Sequence, residues 1–295
     1  MKTKTAMITI AGRPNVGKST LTNYLVGEKI AIVSNKPQTT RNRICGIVTK
    51  GDTQFVFVDT PGYHKARTKL GDYMVNTVRE SIADVDATIL VIEPVANIGT
   101  QEEALMEKLR ASRCPVILAI NKIDTVEKES LLEIIALYSQ AMNFAAIIPI
   151  CARNGDGVDA LLRECAKYAI ESPFMFDEDQ TTDQPERQVM AEIIREKILW
   201  NLDREIPHGT AVEITRFSER DNGIIDIDAT IYCEKASHKG IIIGKGGAML
   251  KKISSMARTD CEKFMGTKVY LTTWVKVKEN WRDSDFLVRN FGYNE

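Results

Sequence analysis

The chain has 295 residues, 44% of them hydrophobic, which is enough apolar material for one or two folded cores. Lysine and arginine (39) nearly balance aspartate and glutamate (40), so any nucleic-acid surface must be a local patch and not a global charge excess. Six cysteines are scattered without a C-x-x-C pair, beside only three histidines, which argues against a zinc site or a disulfide framework and fits a reducing cytoplasm. The start, Met1-Lys2-Thr3-Lys4, leads into a strand-like run without the pattern of a signal peptide, and no apolar stretch approaches the length of a membrane span.

Between residues 5 and 169, short apolar runs alternate with amphipathic segments. Strands are expected at 7–11, 55–58, 87–92, 116–120 and 147–150, and helices at 18–26, 72–83, 101–111, 128–142 and 158–169. Valine and isoleucine runs without alternating polarity indicate strands covered on both faces, hence an α/β fold with a mostly parallel sheet and helices on either side. The pattern then dissolves into an acidic, proline-containing stretch, read as a linker at 172–186 between a first domain at 1–171 and a second at 187–295. The second domain reads as a helix (191–205), strands at 211–217 and 224–233, a glycine-rich turn, a helical stretch and a last strand at 268–277. That α-β-β-α-α-β order describes a smaller α+β domain.

Directly after the first strand stands Gly12-Arg13-Pro14-Asn15-Val16-Gly17-Lys18-Ser19, followed by Thr20 and a helix. This is a phosphate-binding P-loop in its proper strand-loop-helix setting. Its glycines let backbone N–H groups point inward, Lys18 neutralises β- and γ-phosphates, and the Ser19 hydroxyl faces Mg²⁺. Asp59-Thr60-Pro61-Gly62 follows the strand at 55–58, which puts Asp59 beside the phosphates as a water-mediated Mg²⁺ ligand. Asn121-Lys122-Ile123-Asp124 ends the strand at 116–120. A carboxylate there accepts from both N1–H and the exocyclic amine of guanine, whereas adenine would leave Asp124 charged and unpaired, so the nucleotide is GTP or GDP and not ATP.

These boxes resemble those of translation-factor-class GTPases. The resemblance implies a switch threonine in Pro37-Gln38-Thr39-Thr40-Arg41, with Thr40 the expected Mg²⁺ ligand and Thr39 the alternative. It also implies a base-contacting loop at Cys151-Ala152-Arg153, where relatives carry serine first and the backbone N–H of Ala152 is expected on guanine O6. Lys18, Thr40 and Gly62 are the expected catalytic positions. The glutamine that orients water in Ras-like relatives is replaced by Tyr63, so slow hydrolysis is expected. Asn15 resembles the asparagine of potassium-dependent GTPases and raises K⁺ as a further cofactor.

In the second domain Gly244-Lys245-Gly246-Gly247 lies between apolar stretches and resembles the G-x-x-G loop of a type II KH domain, which grips about four unpaired nucleotides. Expected RNA contacts are Lys239, Ile242, Ile243, Gly244, Lys245, Gly246, Gly247, Lys251 and Lys252. Ten lysines and arginines between Lys235 and Lys278 face only Asp260 and Glu262, a local basic track. A single G domain followed by such a domain resembles the Era family of bacterial ribosome-assembly GTPases along essentially the whole chain. That resemblance implies 16S ribosomal RNA near its 3′ end and the 30S subunit as partners, a monomeric state, and a cytoplasmic location with peripheral contact to the inner membrane. The alternative is a signalling or membrane-regulatory GTPase whose basic domain docks on protein or lipid.

Overall fold

The computed structural model describes the chain apart from residues 1, 63–67, 84, 113, 294 and 295. Its contacts divide it into two compact units. The first comprises Met1–Ala31, Thr40–Lys65 and Met74–Asp183, and the second comprises Ile32–Thr39, Ala66–Tyr73 and Gln184–Glu295.

The sheet of the first unit contains β1 (Lys4–Ala11), β2 (Ile44–Lys50), β3 (Thr53–Asp59), β4 (Ala87–Ile92), β5 (Val116–Ile120), β6 (Ala146–Pro149) and the two-residue β7 (Ile170–Glu171). Its order is β2-β3-β1-β4-β5-β6, with β7 added antiparallel to β1. Only β2 and β7 run against the otherwise parallel arrangement. The unbroken apolar runs are explained by burial on both faces. In β4, Ala87, Ile89 and Val91 join a core with Leu21 of α1 (Lys18–Val26) and Leu161 of α5 (Val158–Cys165). Leu90 and Ile92 point the other way, into a core with Leu105 of α3 (Thr100–Ser112) and Tyr138 of α4 (Lys128–Ala141). The helix α2 (Lys69–Ala83) precedes β4.

The second unit has a three-stranded sheet, β10 (Val269–Val277), β9 (Ile225–Cys233) and β8 (Ala211–Glu219) in that order, with β9 antiparallel to β8 and parallel to β10. Here the strands alternate. Ile225, Ile227, Ala229, Ile231 and Cys233 of β9 pack in one core with Ile194 and Ile198 of α6 (Glu186–Asn201), Ile242 of α7 (Ala236–Ile243) and Ile253 of α8 (Ala248–Met265). Helices therefore cover one sheet face, while Tyr270 and Trp274 stand exposed. The chain closes with α9 (Asp285–Asn290).

The α-β-β-α-α-β order and the doubly covered sheet agree with expectation; β2, β7 and α9 are additions. The stretch expected as a linker is, up to Asp183, part of the first unit. The buried Gln54 amide accepts the Met175 and Phe176 N–H groups at 2.9 and 3.0 Å and donates to the Phe176 carbonyl, and the Ile47 N–H donates to the Thr181 carbonyl. Composition signalled a tether because these are backbone interactions, which leave no apolar period in the sequence.

Candidate GTP site and glycine-loop surface

The P-loop is held by its own neighbours. Gly17 has φ 102°, and a Cβ there would lie 2.2 Å from Asn121 Nδ2; on Gly12, at φ 156°, it would lie 2.4 Å from the Val91 carbonyl oxygen. Only glycine fits either position. Asn121 joins two loops, its Nδ2 donating to the Val16 carbonyl at 2.8 Å and its Oδ1 accepting the Ala152 N–H at 2.9 Å. Lys122 bonds the Asn15 carbonyl at 2.7 Å and pairs with Glu93 at 2.5 Å. Glu93, just past β4, also lies 3.5 Å from Arg13, whose principal partner is the buried Glu102 at 2.8 Å. The Arg13 side chain thus faces these carboxylates, and Val16 is fully buried in the core, so neither side chain is left to point into the loop. Glu93 belongs to none of the motifs; the sequence signal for it is a charged residue just beyond a buried strand.

Lys18 donates to the carbonyls of Gly12 and Arg13 at 3.2 and 3.0 Å. Burial strips water from its ammonium and lowers its pKa to about 8, against the opposing pull of Asp59. Burial likewise pushes the Asp59 carboxyl up to about 6, against Lys18, the Ser19 hydroxyl and a backbone hydrogen bond from Thr60. Each charge lacks sufficient compensation within the protein alone. Ser19 Oγ lies 2.8 Å from Thr40 Oγ1 and donates to Asp59 Oδ2 at 2.7 Å. The other carboxylate oxygen, Asp59 Oδ1, is buried without a hydrogen-bond partner. Two hydroxyls 2.8 Å apart suit neighbouring positions in an octahedral Mg²⁺ shell, where ligands at ~2.1 Å lie about 3 Å apart, and the orphaned Asp59 oxygen suits the water-mediated contact expected of it. Thr39 instead turns its hydroxyl onto the Lys36 carbonyl at 2.6 Å, which favours Thr40 of the two candidates. Thr60 anchors its loop through the Ile10 carbonyl at 2.9 Å. Gly62 abuts Pro14, where a Cβ would approach to 2.8 Å, and Tyr63 lies outside the described residues.

Asp124, the carboxylate expected to read the base, is exposed and accepts from Cys151 Sγ at 3.2 Å. The Ala152 N–H, expected on guanine O6, donates here to Asn121 Oδ1 at 2.9 Å. Arg153 is exposed at the rim.

In the second unit, Gly244, Gly246 and Gly247 have φ of 73°, 58° and 79°. A Cβ on Gly244 would meet Met249 at 2.7 Å, whereas on Gly246 or Gly247 it would meet nothing within 4 Å. Lys245, Lys251 and Lys252 are exposed, and Lys239, Ile243 and Gly247 partly so. Ile242 is a correction. It is fully buried in the core and cannot contact a ligand, because α7 turns it inward and leaves its neighbour Ile241 49% exposed.

Residues 7–122 match the 50S ribosome-binding GTPase family and residues 205–282 the KH domain family. The GTPase Era of Ruminiclostridium cellulolyticum is 52% identical over 99% of this chain and 98% of the relative. That of Alkaliphilus metalliredigens is 49% identical over 99% of this chain and 100% of the relative. Among solved structures, Aquifex aeolicus Era Y63A bound to GDP·AlF4⁻ matches with a TM-score of 0.95 at 35% identity, covering 99% of this chain and 100% of that one. An Era in complex with MgGDPNP and nucleotides 1506–1542 of 16S ribosomal RNA matches with the same score, identity and coverage. Identity at this level, sustained from end to end through both the P-loop unit and the glycine-loop unit, means that the chain belongs to the GTPase Era family.

Proposed function

We propose that this GTPase is a slow, Mg²⁺-dependent switch that binds 16S ribosomal RNA near its 3′ end and acts in maturation of the 30S subunit. The reading is carried by the match across both units to the relative solved with MgGDPNP and nucleotides 1506–1542 of 16S ribosomal RNA. Lys18 neutralises the phosphates, Asp124 reads the guanine edge, and Ser19, Thr40 and Asp59 hold Mg²⁺, which supplies charge neutralisation at the transferring phosphoryl group. With tyrosine at the position after Gly62, backbone amides and Lys18 carry the catalytic burden, so intrinsic turnover is slow. Asn15, exposed on the P-loop at φ 67°, is the candidate contact for K⁺, and equal hydrolysis rates in potassium and sodium chloride would remove that cofactor.

The open Gly246-Gly247 turn receives the RNA backbone while neighbouring lysines face phosphates. We place the protein, as a monomer, in the cytoplasm with peripheral contact to the inner membrane, on the likeness to its family. The deciding experiment titrates a labelled copy of nucleotides 1506–1542 into the full chain over a range of salt, beside liposomes of anionic lipid. Specific binding that weakens steeply with salt is expected. Liposome binding without RNA binding would replace the proposal with a membrane-regulatory role.

A further inference from the structure

Helix α6 carries Arg195, Glu196 and Lys197 in succession, and the three are 0%, 0% and 1% exposed. Consecutive helical positions sweep about 200° around the axis, so a helix that buries all three is covered on more than one side. One cover is the core of the second unit, which receives Ile194 and Ile198. The other is Ile32–Thr39, the segment just before Thr40, which clusters with this unit. The Val33 N–H donates to Glu196 Oε1 at 2.8 Å and the Val33 carbonyl accepts from Trp200 Nε1 at 2.9 Å. Lys36 reaches the Leu202 carbonyl and Asp203, and the Arg195 guanidinium donates to the Thr39 carbonyl.

The same charges lead on to α8, the helix that begins at the glycine loop. Lys197 lies 2.7 Å from Glu196 Oε2 and 2.5 Å from Asp260 Oδ2 of α8. A buried ionic network of this kind is poor value for stability, since apolar packing of similar volume commonly does as well. Its distinctive property is directional: it fixes where the peptide of Thr39 sits.

We propose that Arg195 and Glu196 are positioning residues for Thr40, fixing the segment that delivers this Mg²⁺ ligand and linking it through Lys197 and Asp260 to the helix behind the RNA loop. The inference rests on the proposed role as an RNA-responsive GTP switch and names the element through which the two ligands influence each other.

The test compares a non-hydrolysable GTP analogue with GDP in the full-length protein, without RNA. Arg195→Lys keeps the charge but loses the planar fork. It is expected to weaken the Mg²⁺-dependent affinity for the analogue about tenfold and leave that for GDP within about twofold, because the γ-phosphate form is the one that orders switch segments. Combined with Thr40→Ala it should add nothing to the loss from Thr40→Ala alone. Equal losses for both nucleotides, or additive losses, would overturn the proposal. If thermal melting shows that Arg195→Lys does not fold, Trp200→Phe decides: it removes one donor from a half-exposed ring, and an unchanged analogue-to-GDP ratio refutes the positioning role. A 16S fragment should then shift analogue affinity in the wild type and not in Arg195→Lys. Failure of the RNA to bind either protein would remove the proposed partner, while the nucleotide ratio would still decide the role of Arg195.

Discussion

The two glycine-rich loops use the same residue for opposite ends. In the P-loop, the space beside Gly12 and Gly17 is filled by the Val91 carbonyl and the Asn121 amide. Beside Gly246 and Gly247 the space is empty to 4 Å. All four require positive φ, but the first loop is assembled by the chain's own atoms around a small ligand, while the second leaves room for another molecule's backbone to approach. Gly244 marks the boundary, since it belongs to the RNA loop yet is packed against Met249 like a P-loop glycine.

The largest effect that would break this comparison is expected at Gly17→Ala. The new methyl meets Asn121, and the backbone conformation disfavours alanine as well, so a loss of about 2–4 kcal/mol is expected together with loss of nucleotide binding. Denaturant unfolding and fluorescent GDP titration measure the two. Gly246→Asp should be nearly silent in the same assays, within about 1 kcal/mol, because aspartate tolerates positive φ and the site is open. It should weaken RNA binding by about tenfold or more, because a carboxylate set where the phosphate backbone approaches repels it. Gly244→Ala should lie between them, lowering stability by about 1–3 kcal/mol from the clash with Met249. If Gly246→Asp unfolds the protein as Gly17→Ala does, the contrast between a filled and an open loop is wrong.

The contrast was only half legible in the sequence. Strand-loop-helix context and letter spacing located Gly12, Lys18, Asp59 and Asp124, because a phosphate loop is a local object whose chemistry is carried by neighbours in the chain. The partners that hold it, Glu93, Glu102 and the amide of Asn121, lie 80 to 105 positions away, and spacing does not report such contacts. Apolar character placed Ile242 on the RNA surface, yet a run of three isoleucines in a short helix has no period from which to tell inside from outside. Arg195-Glu196-Lys197 would ordinarily mark a solvated helix face. Arg195 and Glu196 meet a segment 156 or more residues upstream, and Lys197 meets an aspartate of α8 63 positions downstream.

A smaller effect follows from the buried pair at the P-loop. Asp59 binds a proton up to about pH 6 in the fold, against an ordinary value of 3.8, so between these values the folded protein holds more protons than the unfolded chain and stability falls as pH rises. Lys18, lowered from 10.5 to about 8, acts in the other direction, and stability rises with pH between those values. Mg²⁺ held through water by Asp59, as proposed, favours the charged carboxylate, so its affinity should fall below about pH 6, by at most about tenfold per unit. Magnesium titrations followed by fluorescent GDP at several pH values measure this. Asp59→Asn should abolish the dependence, and a pH-independent wild type would show that the buried carboxyl is not the metal ligand.

The smallest effect is expected at Cys151. Its thiol lies 3.2 Å from Asp124 Oδ1, and a thiol is a weak donor. Asp124 is also exposed, so water can replace a lost partner. Cys151→Ala should therefore weaken guanine-nucleotide binding by only about twofold to fivefold, at the low end of roughly 0.5–1.5 kcal/mol for a hydrogen bond. Cys151→Ser supplies a stronger donor from a shorter side chain and should leave affinity within about twofold of the parent. Competition between fluorescent GDP and unlabelled GTP reads both variants against Asp124→Asn, which changes the base-reading group itself. A loss in Cys151→Ala as deep as in Asp124→Asn would mean that the thiol, and not water, keeps Asp124 aimed at the base. The GTP site would then depend on one more packed contact than its open rim suggests.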